Sequence, residues 1–362
     1  MTMFTSPPVL CICGPKSSGK TTFIEQVLPP LAERGLLVAA VKLTGFRTNS
    51  STPFTETSRL YTTGADVYRF TPHEQASRIH PSDGYNLPYS VGMLCRRYDL
   101  VLLEGQKNLP FTKVWLTSEK NTAAPVTIEG IIDTIPRTDD RVVRFLSLID
   151  RWLGDQWLKT PVFGCIHIGG KSLRMGIQKH LIMENGKTWI ERTVEIIRQV
   201  TGNVMIVGSG VLPESLRNIP HLPDIPGIPG PMAGTIAALR WAPGASILAT
   251  ACDLPFLSAD ALNWILSHRR PGVWAVVPKL KNVRNVEPLL AHYDYRTHGW
   301  FEQRAQQGYF SLARIVSSPK AITVTPPDNL ANAWRNVNTW ADIQLCEESP
   351  SAPGRRKRYH GN

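Results

Sequence analysis

The sequence predicts an α/β protein built as two doubly wound domains in tandem. Three observations predict it. Strand and helix signals alternate through two successive series along the 362 residues. The strands read as unbroken β-branched and leucine runs, such as residues 9–13 and 100–103, which suit a parallel sheet covered on both faces. Each series opens with a strand that runs straight into a glycine-rich loop, one at residues 14–21 and the other at 169–179. The length accommodates two separate cores.

In the first series, residues 9–13 read as a strand and 21–33 as a helix, with Gly35 just past its end as a C-cap. Strands follow at 38–41, 67–70 and 100–103, with a helix at 55–61. Residues 142–152 form a helix with Val142, Phe145, Ile149 and Trp152 on one face. The joint falls at 154–161, where Asp155-Gln156 and Thr160-Pro161 break the helical pattern. The second series places strands at 163–168, 204–207, 247–250, 274–277, 288–290 and 322–324. Its helices are 187–200, 233–241 and 259–268, with a Pro/Gly-rich loop at 220–231. The resulting division is 1–155, 160–347 and a tail at 348–362.

Composition narrows the class. No run of 18 apolar residues occurs, so no membrane span is expected, and Met1 to Pro8 lacks the pattern of a signal peptide. Six scattered cysteines (Cys11, Cys13, Cys95, Cys165, Cys252, Cys346) read as reduced buried thiols of a cytoplasmic protein rather than as a metal site, since no Cys or His pair has ligand spacing. The net charge of +11 divides into +2 for residues 1–150, +5 for 151–348 and +4 for 349–362. The last share comes from Arg355-Arg356-Lys357-Arg358 in a Pro- and Gly-containing tail that is expected to be disordered. A solvated terminus accounts for that charge better than nucleic-acid binding does. The +5 suits a site for anionic ligands.

The first loop, Gly14-x4-Gly19-Lys20-Thr21, has P-loop spacing. Its glycines let backbone N–H groups curl round phosphates, Lys20 reaches the β/γ phosphates, and the Thr21 hydroxyl meets Mg²⁺. The following helix turns its positive end to the same anion. The metal also needs a carboxylate. Ligands bind beyond the carboxyl ends of parallel strands, which excludes Asp99 and selects Glu104. No guanine-selective Asn/Thr-Lys-x-Asp element occurs in residues 1–150, so the base is left open there.

This P-loop, with Val41-Lys42, Glu56-Thr57-Ser58-Arg59, Gly64-Ala65 and Leu102-Leu103-Glu104-Gly105, resembles the MobB-type adaptors of molybdopterin-guanine dinucleotide biosynthesis. Leu43, Thr52, Phe54 and Gln106 depart from the family pattern and leave the phosphate grip intact. The resemblance implies a P-loop NTPase-like, GTP-binding domain.

The second loop, Gly169-Gly170-x-Ser172-x-Arg174-Met175-Gly176-x2-Lys179, is of another design. It resembles loops of nucleotidyltransferases, in which paired glycines let the backbone pass close to a nucleotide. Cations such as Arg174 and Lys179 face the triphosphate and stabilise the pyrophosphate as its charge builds. Asp253, after the apolar run 247–249, supplies the carboxylate for Mg²⁺. A phosphate monoester nucleophile, with a second pKa of about 6, needs no general base. His167 and His180 beside the loop are therefore read as packing or surface residues.

Four elements in order complete a second resemblance: this loop, Gly230-Pro231-Met232-Ala233-Gly234, Cys252-Asp253-Leu254-Pro255 and Asn336-Val337-Asn338-Thr339. Together they resemble the MobA-type molybdenum cofactor guanylyltransferases over about residues 161–346. Departures are His167-Ile168, Gln178 and the region of Gly208-Ser209. The resemblance implies a Rossmann-like nucleotidyltransferase domain that moves GMP from GTP to a molybdenum or tungsten pterin and releases pyrophosphate. It also implies that Asp224 and the Gly230 to Gly234 loop hold the guanine nucleotide, and that Asn336 and Asn338 face the molybdopterin. Molybdoenzymes or molybdenum insertion proteins are then candidate acceptors, and fusion raises the effective concentration between two steps. The alternatives are a cytidylyl- or sugar-nucleotide transferase, and a non-catalytic cofactor carrier or insertion chaperone.

Overall fold

The computed structural model describes residues 7–42, 63, 67–70, 75–78, 87–118, 123–169 and 178–337. The N-terminal half centres on a five-stranded, all-parallel sheet: β1 (Val9–Cys13), β2 (Val38–Lys42), β5 (Leu100–Glu104), β6 (Thr112–Leu116) and β7 (Ile131–Ile135). Their order is β2-β5-β1-β6-β7. Every residue of β1 is buried. Leu10 and Ile12 point to a core shared with α1 (Lys20–Glu33) and α3 (Arg141–Lys159), while Val9, Cys11 and Cys13 point to a core against α2 (Leu87–Cys95).

Several expectations change. Residues 67–70 are extended, but they form β3 (Val67–Phe70) of a separate hairpin with β4 (Gln75–Arg78), not a strand of the main sheet. The helix expected at 55–61 lies outside the described residues. β6 was hidden by Lys113, a poor candidate for a core strand. It is only 3% exposed, and its ammonium is satisfied by the carbonyls of Leu109 at 2.7 Å and Phe111 at 2.8 Å. α3 does not stop at Trp152 but continues to Lys159, held by the buried Trp157 in its last turn, and Thr160-Pro161 ends it.

The C-terminal half carries a seven-stranded sheet formed by β8 (Val162–His167), β11 (Asn203–Val207), β12 (His221–Leu222), β13 (Ser246–Ala251), β14 (Ala275–Pro278), β15 (Ala291–Tyr293) and β16 (Ala321–Val324). Their order is β12-β11-β8-β13-β15-β14-β16. A short hairpin of β9 (Met183–Glu184) and β10 (Lys187–Thr188) sits beside it. The sheet is mixed, because β15 runs antiparallel to both β13 and β14. That strand was expected at 288–290; it lies three residues later, and 288–290 is loop. α4 (Trp189–Thr201) covers one face, with α6 (Ala259–Leu266), and α5 (Pro231–Trp241) and α7 (Thr297–Gln306) cover the other. Thr188 caps α4 in a reciprocal capping box with Glu191.

Candidate functional sites

The first site is the turn between β1 and α1. Gly14 is obligatory there: a Cβ would lie 2.4 Å from the Leu116 carbonyl oxygen and 2.6 Å from Ser18 Oγ. Gly19 takes the left-handed conformation, φ 78°, that lets the loop enter α1. Lys20 Nζ donates to the loop's own carbonyls, Pro15 at 2.7 Å and Gly14 at 3.2 Å, and so closes over the space the loop surrounds. Glu104 ends β5 on the neighbouring strand, and its Oε1 accepts from Thr21 Oγ1 at 2.8 Å. The Lys42 ammonium lies 3.1 Å from Thr21 Oγ1 and 3.2 Å from that same Glu104 oxygen. A cation thus already bridges the hydroxyl and the carboxylate, a hard-oxygen donor pair of the kind Mg²⁺ takes.

Arg141 was missed by sequence reasoning. It is 8% exposed, lies over the Phe23 ring at 5.0 Å and donates to the Ser18 carbonyl at 3.1 Å, bracing the loop from behind. Burial, with Arg137 nearby, pushes its pKa down. Only the order Thr138-Asp139-Asp140 before the helix marked this position in sequence.

The second site is a cavity of about 740 Å³ at the carboxyl ends of β8 and β13. Gly169, Lys179, Asp224, Gly230, Asp253 and Asn336 all line it. Lys179 Nζ donates to Asp253 Oδ2 at 3.0 Å and to the Val337 carbonyl at 3.0 Å, and the Val337 N–H donates to the Asp253 carbonyl at 3.1 Å. Three distant segments are therefore tied at one point. Gly230 and Pro231 place the positive end of α5 at the wall. Burial raises the Asp224 pKa. Gly170, Arg174 and Asn338 lie outside the described residues.

Gly234 falls within the helix expected at 233–241. It does not line the cavity but sits inside α5, where a Cβ would meet Val207 Cγ2 at 2.6 Å and His167 Nδ1 at 3.1 Å. Its job is to let the helix approach the sheet. His167 is buried and its pKa is pushed down to about 4, so it is neutral near pH 7; Thr235 Oγ1 is 3.5 Å away. His180 Nε2 lies 2.9 Å from the Val211 carbonyl. Glu287 was also missed. It lines the cavity half-buried, its pKa raised by burial, just before the residues 288–290 expected as a strand.

Among the described residues, no group of three or more His, Cys, Asp or Glu side chains forms a metal cage. Mg²⁺ does not need one: it is commonly held by one or two carboxylates and completed by substrate phosphates and water. Asp253, open to a cavity large enough for a nucleotide, fits that mode.

Comparison with known proteins finds a separate match in each half of the chain. Residues 9–135 match the model for molybdopterin guanine dinucleotide synthesis protein B, and residues 164–318 match that for MobA-like NTP transferase domains. A "Probable molybdenum cofactor guanylyltransferase" of Pelotomaculum thermopropionicum is 33% identical over 192 residues, covering 50% of this chain and 89% of that protein. The molybdenum cofactor guanylyltransferase of Desulfosudis oleivorans is 28% identical over 199 residues, covering 53% of this chain and 96% of that protein. A molybdenum cofactor biosynthesis bifunctional protein of Synechocystis sp. is 25% identical over 224 residues, 61% of this chain and 63% of that protein.

Proposed function

Because this chain belongs to the molybdenum cofactor guanylyltransferase family, we propose that its C-terminal domain transfers GMP from GTP to Mo-molybdopterin. The product is molybdopterin guanine dinucleotide, and pyrophosphate is released. A terminal phosphate oxygen of the pterin attacks the α phosphorus of GTP, and the bond from that phosphorus to the α–β bridging oxygen breaks. No proton need be removed from a phosphate monoester that is already largely dianionic at neutral pH.

The carrying observation is the Lys179–Asp253 pair at the cavity wall. Lys179, with Arg174, neutralises the departing pyrophosphate. Asp253 would hold Mg²⁺, which supplies charge neutralisation along the triphosphate. Gly169, Gly170, Asp224 and Gly230 cradle the guanine nucleotide, and Asn336 and Asn338 face the pterin. Gly14, Gly19, Lys20, Thr21 and Glu104 make the N-terminal domain a GTP-binding adaptor, in which Thr21 and Glu104 would hold Mg²⁺. Molybdoenzymes or molybdenum insertion proteins would receive the product.

Five buried free thiols suit the reducing cytoplasm, and no described helix is long and apolar enough to cross a membrane. The test is mass analysis of products from molybdopterin incubated with each nucleoside triphosphate in turn. GMP adducts with GTP are expected; CMP adducts with CTP and none with GTP would overturn the guanylyl assignment. Cofactor maturation that survives Asp253→Ala would favour a carrier over an enzyme.

A further inference from the structure

Each sheet has two unlike edges, one where its parallel strands begin and one where they end. Asp99 precedes β5 and is fully buried. Its Oδ2 accepts from Lys320 Nζ at 2.6 Å and from the Leu37 N–H at 2.8 Å, and its Oδ1 accepts from Trp274 Nε1 at 2.6 Å. Lys320 also donates to the Gly35 carbonyl. Arg296 Nε donates to the Tyr98 carbonyl at 2.9 Å, while its guanidinium lies 4.4 Å over Trp157 and pairs with the buried Asp294 at 2.8 Å. Tyr295 enters the apolar cluster of Val9, Cys95 and Val101.

Apart from Trp157 of α3 and the apolar cluster that receives Tyr295, these joining residues belong to starting edges. Gly35 and Leu37 precede β2, Tyr98 and Asp99 precede β5, Trp274 precedes β14 and Lys320 precedes β16. Tyr295 and Arg296 follow β15, whose reversed direction brings its end to the same side. The phosphate-facing groups belong to the opposite edges: Gly14 to Thr21 and Glu104 follow or end β1 and β5, and Gly169 and Asp253 follow β8 and β13.

We infer that the two domains are locked back to back as one body, with the P-loop and the transfer cavity at opposite poles. The P-loop therefore holds a nucleoside triphosphate of its own, which is not the donor for transfer in the same chain. The five residues of β5 and six of β13, at about 3.3 Å each, put about 36 Å of sheet between the sites. Fusion concentrates two steps only where the geometry lets both engage one ligand, and here it does not. Handover between the sites runs through solvent or another molecule. The rigid arrangement rests on the interface alone; the second nucleotide also rests on reading both loops as nucleotide sites.

Two measurements on the full chain test this. Spin labels at Asn108→Cys and Val211→Cys, both exposed and each at one pole, would be placed in a Cys346→Ser background, since the five other thiols are buried. A narrow distance distribution at about 36 Å or more, unmoved by nucleotide, is expected. A distance of half that value, or a broad distribution, overturns the back-to-back body. Equilibrium dialysis with a non-hydrolysable GTP analogue should give two nucleotides per chain. One per chain with transfer intact overturns the second nucleotide alone; none at all overturns it together with the functional reading.

Discussion

Lys179 Nζ sits 3.0 Å from Asp253 Oδ2 although 74 residues separate the two in the chain. Lys179 begins a short helical turn after the second glycine-rich loop, and Asp253 follows the central strand β13. The ammonium also holds the Val337 carbonyl, so the cation, the carboxylate and the segment at Asn336 and Val337 are tied together.

Asp253→Asn keeps the shape and removes the charge. Loss of metal-assisted charge neutralisation is worth several kcal/mol, so kcat for GMP transfer should fall roughly a thousandfold with little change in melting temperature. Steady-state assays beside a thermal melt check this, and a kcat near that of the parent protein would remove Asp253 from the reaction.

Lys179→Met retains the apolar stem but loses the ammonium's contacts with Asp253 and the Val337 carbonyl. Transfer should drop about 100-fold. Lys179→Arg, which restores the positive charge, should recover part of the loss; failure of arginine to do better than methionine would point to a purely steric role.

Asp99→Ala leaves Lys320 buried without its carboxylate. Breaking a buried pair from one side costs about 3–5 kcal/mol, and urea unfolding should show a loss of that order. The double variant Asp99→Ala, Lys320→Met removes the orphaned charge and should regain part of it. Equal stability of the single variant and the parent would mean that the pair does not hold the interface.

Gly234→Ala distinguishes packing from ligand contact. Its Cβ would press on Val207 and His167, so about 1–3 kcal/mol of stability should be lost while nucleotide affinity of the folded fraction stays the same. A weakened affinity at unchanged stability would return Gly234 to the binding site.

Two buried histidines set a pH dependence. Burial pushes His167 from 6.5 down to about 4, and burial together with Arg269 pushes His292 well below its ordinary value. Above pH 6.5 both residues are neutral in the folded and unfolded chain. As pH falls from there, the unfolded chain takes up protons that the folded chain does not, and stability declines by up to ~1.4 kcal/mol per pH unit for each histidine. For His167 the decline ends near pH 4, where the folded form also protonates. His292 has no hydrogen-bond partner on either ring nitrogen among the described residues, so His292→Leu should flatten this slope between pH 7 and 5 in urea titrations. An unaltered slope would assign the acid sensitivity to other groups.

The periodic strands and both glycine-rich loops were legible in sequence because they are local. Continuous apolar runs mark strands buried on two faces, and phosphate loops need fixed glycine and lysine spacing within about ten residues. Glu104 and Asp253 were legible for a related reason, since each ends an apolar run and ligands meet strand ends. β6 was not legible, because Lys113 finds its acceptors only in the folded loop before it. Nor were Arg141 and Glu287, which reach their sites through packing rather than motif.

The sequence by itself determined two α/β units, two glycine-rich loops that follow strands, and the carboxylates at the ends of neighbouring strands. Tertiary structure alone decided that a Cβ at Gly234 would press on Val207 and His167, that Lys179 meets Val337, and that Asp99 joins the domains. Asp99 shows the physical reason. Its place before a strand excluded it from the metal site, but the Lys320 and Trp274 that satisfy its buried charge lie 221 and 175 residues away, where no local pattern reaches. Those distant partners also bring the strand starts of the two sheets together.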